Sequence, residues 1–441
     1  MGSLTVVGMC GLTHFLVFAA PVASERSLDT TLSSTELATR VEESAANYPH
    51  KKPSYAQQAS KVSKPTSAGP ALLCALLAPG RLPSGSTDQS WVSWRKLPEP
   101  NICDYIILDI EANPDGSYNE SEYSFLLNYN TTARFLFTFG SESFLEAKAA
   151  FRRTSFRKSA TQLYKTPGVR GFGLLDGDTG TNGWALTDAA IRRAVQLFSQ
   201  LTRGLVAAGY KKSVISNFLG LRPVGLRGHL KSFSSLLAAL DGVVDFLILL
   251  SISAPRPTCF VEGLSAWNHR DCFMNDDVQP TFELCLELIF SVDTTVSRFV
   301  LTLSLRIDAF VDVDESSGAG RSFFKNKAAG KQCYARVHRF VRRGVCPPVE
   351  KDEGNVMSTG SPGLCNFDAS RSQNEWLVYT FETRASIEKT MVTVHERLAA
   401  KNVSTLSWLI YNVTSYVADD SCPAGTSRMH RAWEVAKRFR Q

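Results

Sequence analysis

The stretch Val169-Arg170-Gly171-Phe172-Gly173-Leu174-Leu175-Asp176-Gly177-Asp178 reads as a buried strand that ends in carboxylates. Apolar residues and glycines run to Leu175 without polar alternation, the pattern of a strand covered on both faces. Two aspartates, one residue apart, follow where the chain would leave the sheet. Working outward, similar short β-type runs occur at 71–77, 104–110, 134–139, 213–218, 244–252, 299–305 and 405–413. Amphipathic, helix-patterned segments separate them at 144–164, 187–208, 232–240, 280–290 and 384–401, and another closes the chain at 428–439. Apolar strands alternating with helices predict an α/β fold with a parallel sheet. Eight strands favour a closed (β/α)8 TIM barrel over an open sheet. The stretch 308–374 breaks the rhythm and is predicted to be an insertion between strand seven and helix seven.

Composition agrees with a single large barrel carrying a tail. The chain has 441 residues, 44% hydrophobic and 20% charged, with a net charge of +6. Such a mild positive balance does not call for a nucleic-acid partner. Residues 4–20 are apolar and uncharged and run into Ala19-Ala20-Pro21-Val22-Ala23-Ser24. Residues 1–24 therefore read as a signal peptide cleaved near Ala23 or Ser24, with an uncleaved anchor as the alternative. The run 243–252 is too short to cross a bilayer, so no stable span is expected after cleavage. Residues 25–69, rich in Ser, Thr, Ala, Lys and Pro, read as a disordered arm, and 70–441 as the barrel.

Export to an extracellular location fits two further features. Sequons occur at Asn119, Asn130, Asn402 and Asn412, each a candidate glycosylation site. Ten cysteines are present, nine once Cys10 leaves with the leader, and none forms a C-x-x-C pair with zinc spacing. Disulfides are the expected use, with one thiol left free or intermolecular.

The ordered set of motifs resembles glycoside hydrolase family 18, the chitinases and chitinase-like lectins, over roughly 71–439. Leu73-Cys74 followed by Asn101-Ile102-Cys103-Asp104-Tyr105-Ile106-Ile107 is similar to the family's first two strands. The resemblance implies a Cys74–Cys103 disulfide. Arg134-Phe135-Leu136-Phe137-Thr138-Phe139-Gly140-Ser141-Glu142 resembles the third strand and its S-x-G-G turn. The block ending in Asp176 and Asp178 resembles the fourth strand, where catalytic members carry D-x-x-D-x-D-x-E. Tyr334-Ala335-Arg336-Val337 and Glu375-Trp376-Leu377-Val378-Tyr379 resemble a compressed α+β insertion and the return to helix seven. Asp419-Asp420-Ser421-Cys422 resembles the segment after strand eight.

The departures from the family carry the chemistry. Active members protonate the leaving oxygen with the motif's glutamate while the substrate's N-acetyl group attacks, a route outside the usual two-carboxylate scheme. Aligning Asp176 and Asp178 with the inner aspartates puts Gly173 at the first aspartate and Gly180 at the acid. No glutamate lies between Glu146 and Glu262, so no shift of register restores one. Ile252 and Ser253 replace the tyrosine and aspartate of strand six, and Tyr411 takes the place of the tryptophan that floors the sugar site. General acid catalysis contributes roughly 10²–10⁴-fold, so hydrolysis is not expected, and a relocated acid such as Asp188 is the remote alternative.

Candidate ligand-binding residues are Asp176, Asp178, Tyr411 and Trp408. For the aspartates the competing role is buried hydrogen bonding or capping; for Trp184 and Trp408 it is packing. Scattered histidines (His229, His269, His338) give no metal motif, Gly171-Phe172-Gly173 is no dinucleotide loop, and no cofactor is expected. Lys325, Lys327, Lys331, Arg336, Arg339, Arg342 and Arg343 cluster with His338; if 334–343 is helical, Arg336, Arg339 and Arg343 share a face. Two functional classes follow. One is a non-catalytic lectin for chitin-type or other glycans. The other is a protein- or glycosaminoglycan-binding module with an extracellular partner.

Overall fold

The computed structural model describes residues 70–76, 102–110, 132–139, 162–166, 168–177, 188–207, 209–223, 230–252, 267, 281–292, 298–305, 308–312, 333–337, 357–358, 366–372, 375–382, 384–403, 406–411 and 435–440, apart from a few isolated positions. Eight strands form a closed barrel: β1 (Leu72–Leu76), β2 (Tyr105–Ile110), β3 (Arg134–Phe139), β4 (Val169–Gly177), β5 (Phe218–Leu221), β6 (Phe246–Leu249), β7 (Arg298–Ser304) and, after an inserted sheet, β13 (Ser407–Tyr411). All neighbours pair in parallel, and β13 closes the ring between β7 and β1. This is the (β/α)8 TIM barrel expected from the sequence.

The two-residue strand period sorts side chains into two layers. Leu73 and Ala75 of β1, Tyr105 and Ile107 of β2, Leu136 of β3, Phe218 of β5, Phe246 and Ile248 of β6, Val300 of β7, and Leu409 and Tyr411 of β13 fill the lumen as one cluster. Their neighbours in sequence point outward, under the helices. Helix α1 (Asp188–Ala207) covers that outer layer with Leu197, Phe198, Leu201 and Leu205, and α2 (Leu230–Leu240) with Phe233, Leu236, Leu237 and Leu240. Helix α3 (Phe282–Ser291) is capped by Thr281, whose hydroxyl accepts a 3.1 Å hydrogen bond from the Leu284 amide. It also carries Cys285, a free and fully buried thiol whose pKa burial pushes up. Ile387, Met391, Val394 and Leu398 form the apolar stripe of α4 (Arg384–Ala399) at i, i+4, i+7, i+11 spacing. Residues 435–440 end the described chain as a helical turn and a half.

Cys74 on β1 and Cys103 just before β2 form the disulfide that the family resemblance implied, with Cα atoms 5.9 Å apart.

Two regions differ from the sequence reading. Strand five lies at Phe218–Leu221, not 213–218, and Lys212–Val214 forms a 3₁₀ turn instead. The β-branched residues Val214 and Ile215 drew the reading toward the turn, whereas Gly220 disguised the strand. Gly220 is there for space: a Cβ would stand 1.8 Å from the Leu175 carbonyl oxygen. The sequence allows a helix over 334–343. Cys333–Val337 is instead strand β9, antiparallel to β8 (Asp308–Asp312). Arg336 is thus a strand residue, and Arg339, Arg342 and Arg343 lie outside the described residues. The inserted sheet runs in the order β10 (Met357–Ser358), β11 (Asn366–Ser372), β12 (Glu375–Phe381), β8, β9. It extends past 374, because the segment read as a return to helix seven is its central strand.

The leader and arm expected at 1–69 lie outside the described residues. Among the described residues, no helix is long and apolar enough to cross a membrane.

Candidate functional site

In barrels of this kind the chemistry sits at the carboxyl ends of the strands. Here that mouth is built from Thr138 on β3, Leu175 on β4, Ser251 and Ile252 after β6, Thr302 and Ser304 on β7, and Tyr411 at the end of β13. All are buried. Their hydroxyls are largely committed to the scaffold. Ser251 Oγ donates to the Thr302 carbonyl at 2.6 Å, and Thr302 Oγ1 donates to the Leu249 carbonyl at 3.0 Å. Thr138 Oγ1 accepts from the Leu175 amide at 3.4 Å. These bonds tie β6 to β7 and β3 to β4. They satisfy buried polar groups, which would otherwise cost about 1–3 kcal/mol each.

Gly173 is the residue that the sequence resemblance aligns with the motif's first aspartate. Its neighbour across the β4–β5 ladder is Phe218, in register with it. A Cβ at Gly173 would lie 2.0 Å from the Phe218 carbonyl oxygen and 2.6 Å from the ring. Phe218 is fully buried in the luminal cluster and fills the room an acidic side chain would need. Gly171 shows the same close approach, 1.3 Å from the Ser216 carbonyl oxygen to a hypothetical Cβ. The two glycines therefore let β4 and β5 sit too close for any side chain between them. Sequence reasoning found the glycine but missed its partner, because nothing in the run of 213–221 announces which residue will face it.

The other predicted positions divide as follows. Tyr411 stands in the luminal cluster, and its carbonyl accepts from the Leu305 amide at 3.4 Å. Trp408, one of the sugar-binding candidates, belongs to the outward face of β13, where its ring centroid lies 6.3 Å from that of Phe282 on α3. Trp408 and Tyr411 are three positions apart, an odd step that places them on opposite faces of one strand. Trp408 therefore packs under a helix and does not reach the mouth. Ile252, which the sequence resemblance aligns with the family's tyrosine, is an apolar member of the lumen. Asp176 lies on the β4 backbone, with its side chain outside the described residues, as are Asp178, Gly180, Trp184 and Ser253 altogether. Asn402 is exposed at the end of α4 with φ of 55°, the left-handed conformation that asparagine tolerates at a helix terminus. Asn119, Asn130 and Asn412 lie outside the described residues.

Solved structures can be compared with this geometry. An immunomodulatory active chitinase from Trichuris suis aligns at TM-score 0.53 and 10% identity, over 84% of this chain and 100% of that one. The Ostrinia furnacalis Group IV chitinase gives 0.51 and 10%, over 84% and 100%. Human YKL-39, described as a pseudo-chitinase with retained chitooligosaccharide binding, gives 0.51 and 12%, over 84% and 98%.

The chain has the chitinase fold.

At such identities the likeness is one of architecture, and it includes both active and inactive members. No family model matches the sequence, and no curated protein does. The character of the mouth is therefore read from its own residues. Among the described side chains, the mouth presents backbone-bound hydroxyls, Ile252, Leu175 and Tyr411, and none of them is a carboxylic acid. No cluster of three metal-ligating side chains occurs among the described residues.

Proposed function

We propose that this chain is a secreted, catalytically silent chitinase-like protein whose barrel mouth holds chitin-type oligosaccharides without cutting them. The observation that carries the reading is the Phe218 ring and carbonyl standing against Gly173. Space that would hold the motif's first carboxylate is filled from the neighbouring strand. With Gly180 aligned at the acid position and Ile252 at that of the tyrosine, the motif offers no glutamate to protonate the leaving oxygen and no phenol to help steady the N-acetyl group. Tyr411 supports binding: an aromatic ring at the strand-eight position offers a sugar an apolar face with a polar edge. The pseudo-chitinase among the structural neighbours shows that this architecture is compatible with such a role. The Cys74–Cys103 disulfide supports an oxidising, extracellular location, as do the leader and the sequons.

Calorimetric titration of the purified protein with a chitin hexamer tests the reading. Saturable heat that Tyr411→Ala removes and Trp408→Ala leaves in place is the expected result. Absence of heat would overturn the lectin role and turn attention to a protein or glycosaminoglycan partner.

A further inference from the structure

The opposite end of the barrel holds an arrangement that the mouth reading does not use. Arg134 opens β3, and the two-residue period puts it on the luminal face with Leu136. Its Nη1 donates to the Tyr105 hydroxyl at 2.9 Å, and its guanidinium carbon lies 5.5 Å from the centroid of the Tyr105 ring. That ring is buried and packs edge-on against Phe246, with centroids 4.9 Å apart. Arg170 lies on the adjacent strand, at the register shift where Phe135 pairs with Val169 and Leu136 with Gly171. Its Nη1 donates to the Val169 carbonyl at 2.8 Å. Both arginines are partly buried.

Two like charges on neighbouring strands ordinarily share a carboxylate. Among the described residues neither arginine forms a salt bridge. The carboxylates nearby in the fold are engaged elsewhere: Asp104 Oδ2 accepts from the Leu72 amide at 2.8 Å, and Asp245 Oδ2 accepts from the Asn217 amide at 2.9 Å. Burial and then the charge of Arg134 disfavour the protonated form of Arg170, partly offset by Tyr164, whose hydroxyl donates to the Arg170 carbonyl. Each guanidinium has five N–H donors, and among the described residues one is used on each. What remains is a pair of forked donors beside a phenol, with no carboxylate paired to either among the described residues.

We propose that Arg134 and Arg170 form a binding site for one tetrahedral oxyanion, phosphate or sulfate, at the amino-terminal end of the barrel. An oxyanion bridging the two guanidinium groups satisfies their free donors and cancels their repulsion. The site is independent of the sugar reading, since it lies at the other end of the strands.

Thermal unfolding of the full chain tests it, in low-salt buffer with added inorganic sulfate, inorganic phosphate, a heparin disaccharide, or chloride at matched ionic strength. Sulfate or phosphate at about 100 times its Kd is expected to raise Tm by about 4 °C beyond chloride. A rise with the disaccharide alone also supports the site and identifies its ligand as an ester-borne sulfate. Arg170→Gln is expected to lose the rise and to weaken anion binding roughly ten- to hundredfold. Relief of repulsion keeps its ligand-free Tm at or above that of the wild type, so misfolding cannot explain a lost response. Arg170→Lys retains the charge without the fork and is expected to keep a reduced rise. Equal responses in wild type and Arg170→Gln, or none beyond chloride in either, would overturn the proposal.

Discussion

The two ends of this barrel differ in the side chains described there. Enzymes of this architecture keep charge and reactive groups at the carboxyl ends of the strands and leave the amino ends to packing. Here the described side chains of the mouth are Thr138, Ser251, Thr302 and Ser304 among apolar neighbours, and the hydroxyls of Thr138, Ser251 and Thr302 bond directly to the scaffold. The amino end carries Arg134, Arg170, Tyr105 and Tyr164 in partly buried contact. Strand pairing and the luminal layer depend on apolar alternation, whereas catalysis in a barrel depends on a few side chains that contribute little to that alternation, so the fold alone does not fix the chemistry.

Restoring a carboxylate to the mouth is the strongest way to break the contrast. Gly173→Asp forces a Cβ to within 2.0 Å of the Phe218 carbonyl and buries a charge beside a phenyl ring. A loss above about 4 kcal/mol, seen as insoluble or unfolded protein in denaturant titrations, is expected. A soluble, stable variant would show that β4 and β5 can part, and the mouth would no longer be closed to acid chemistry.

Trp408→Ala sharpens the distinction between the two faces of β13. Removing a ring buried against Phe282 is expected to cost about 3–5 kcal/mol in chemical denaturation, with hexamer affinity unchanged. Loss of affinity at undiminished stability would return Trp408 to the mouth.

The smallest effect lies at the amino end and depends on pH. Burial is the main cause that raises the Tyr164 hydroxyl's pKa well above its ordinary value, with Tyr210 and Asp245 adding to it and Arg170 opposing. The unfolded chain then loses this proton near pH 10 while the folded chain keeps it. Its contribution is complete below that pH and declines above it, by at most about 1.4 kcal/mol per pH unit. Tyr164→Phe is expected to flatten the alkaline fall in stability, measured by urea unfolding between pH 9 and 11. An unchanged slope would mean that the phenol is solvated.

Much of the fold was legible because parallel barrel strands are apolar on both faces and leave long, unmistakable runs. β3 was read to the residue, Arg134–Phe139, and α1 within one residue at each end. Strand five was misplaced because Gly220, which the packing demands, carries no strand signal, whereas Val214 and Ile215 carry a strong one and form a turn. The inserted sheet was partly hidden too. Tyr334-Ala335-Arg336-Val337 is as compatible with helix as with strand in isolation, and pairing with β8 decides it. For the site, the lack of any glutamate between Glu146 and Glu262 is visible in sequence, but the residue that faces Gly173 is not. Phe218 meets Gly173 only through the register of two strands 45 positions apart, a relation that no local pattern encodes.

The central claim is that this mouth does not hydrolyse what it holds. Prolonged incubation of the purified protein with chitin hexamer at acid and neutral pH, followed by mass spectrometry of the sugar, tests it most directly. The account predicts intact hexamer at both pH values. Chitobiose or other shortened products in stoichiometric excess over the protein would contradict it and require an acid, such as Asp188, relocated from the fourth strand.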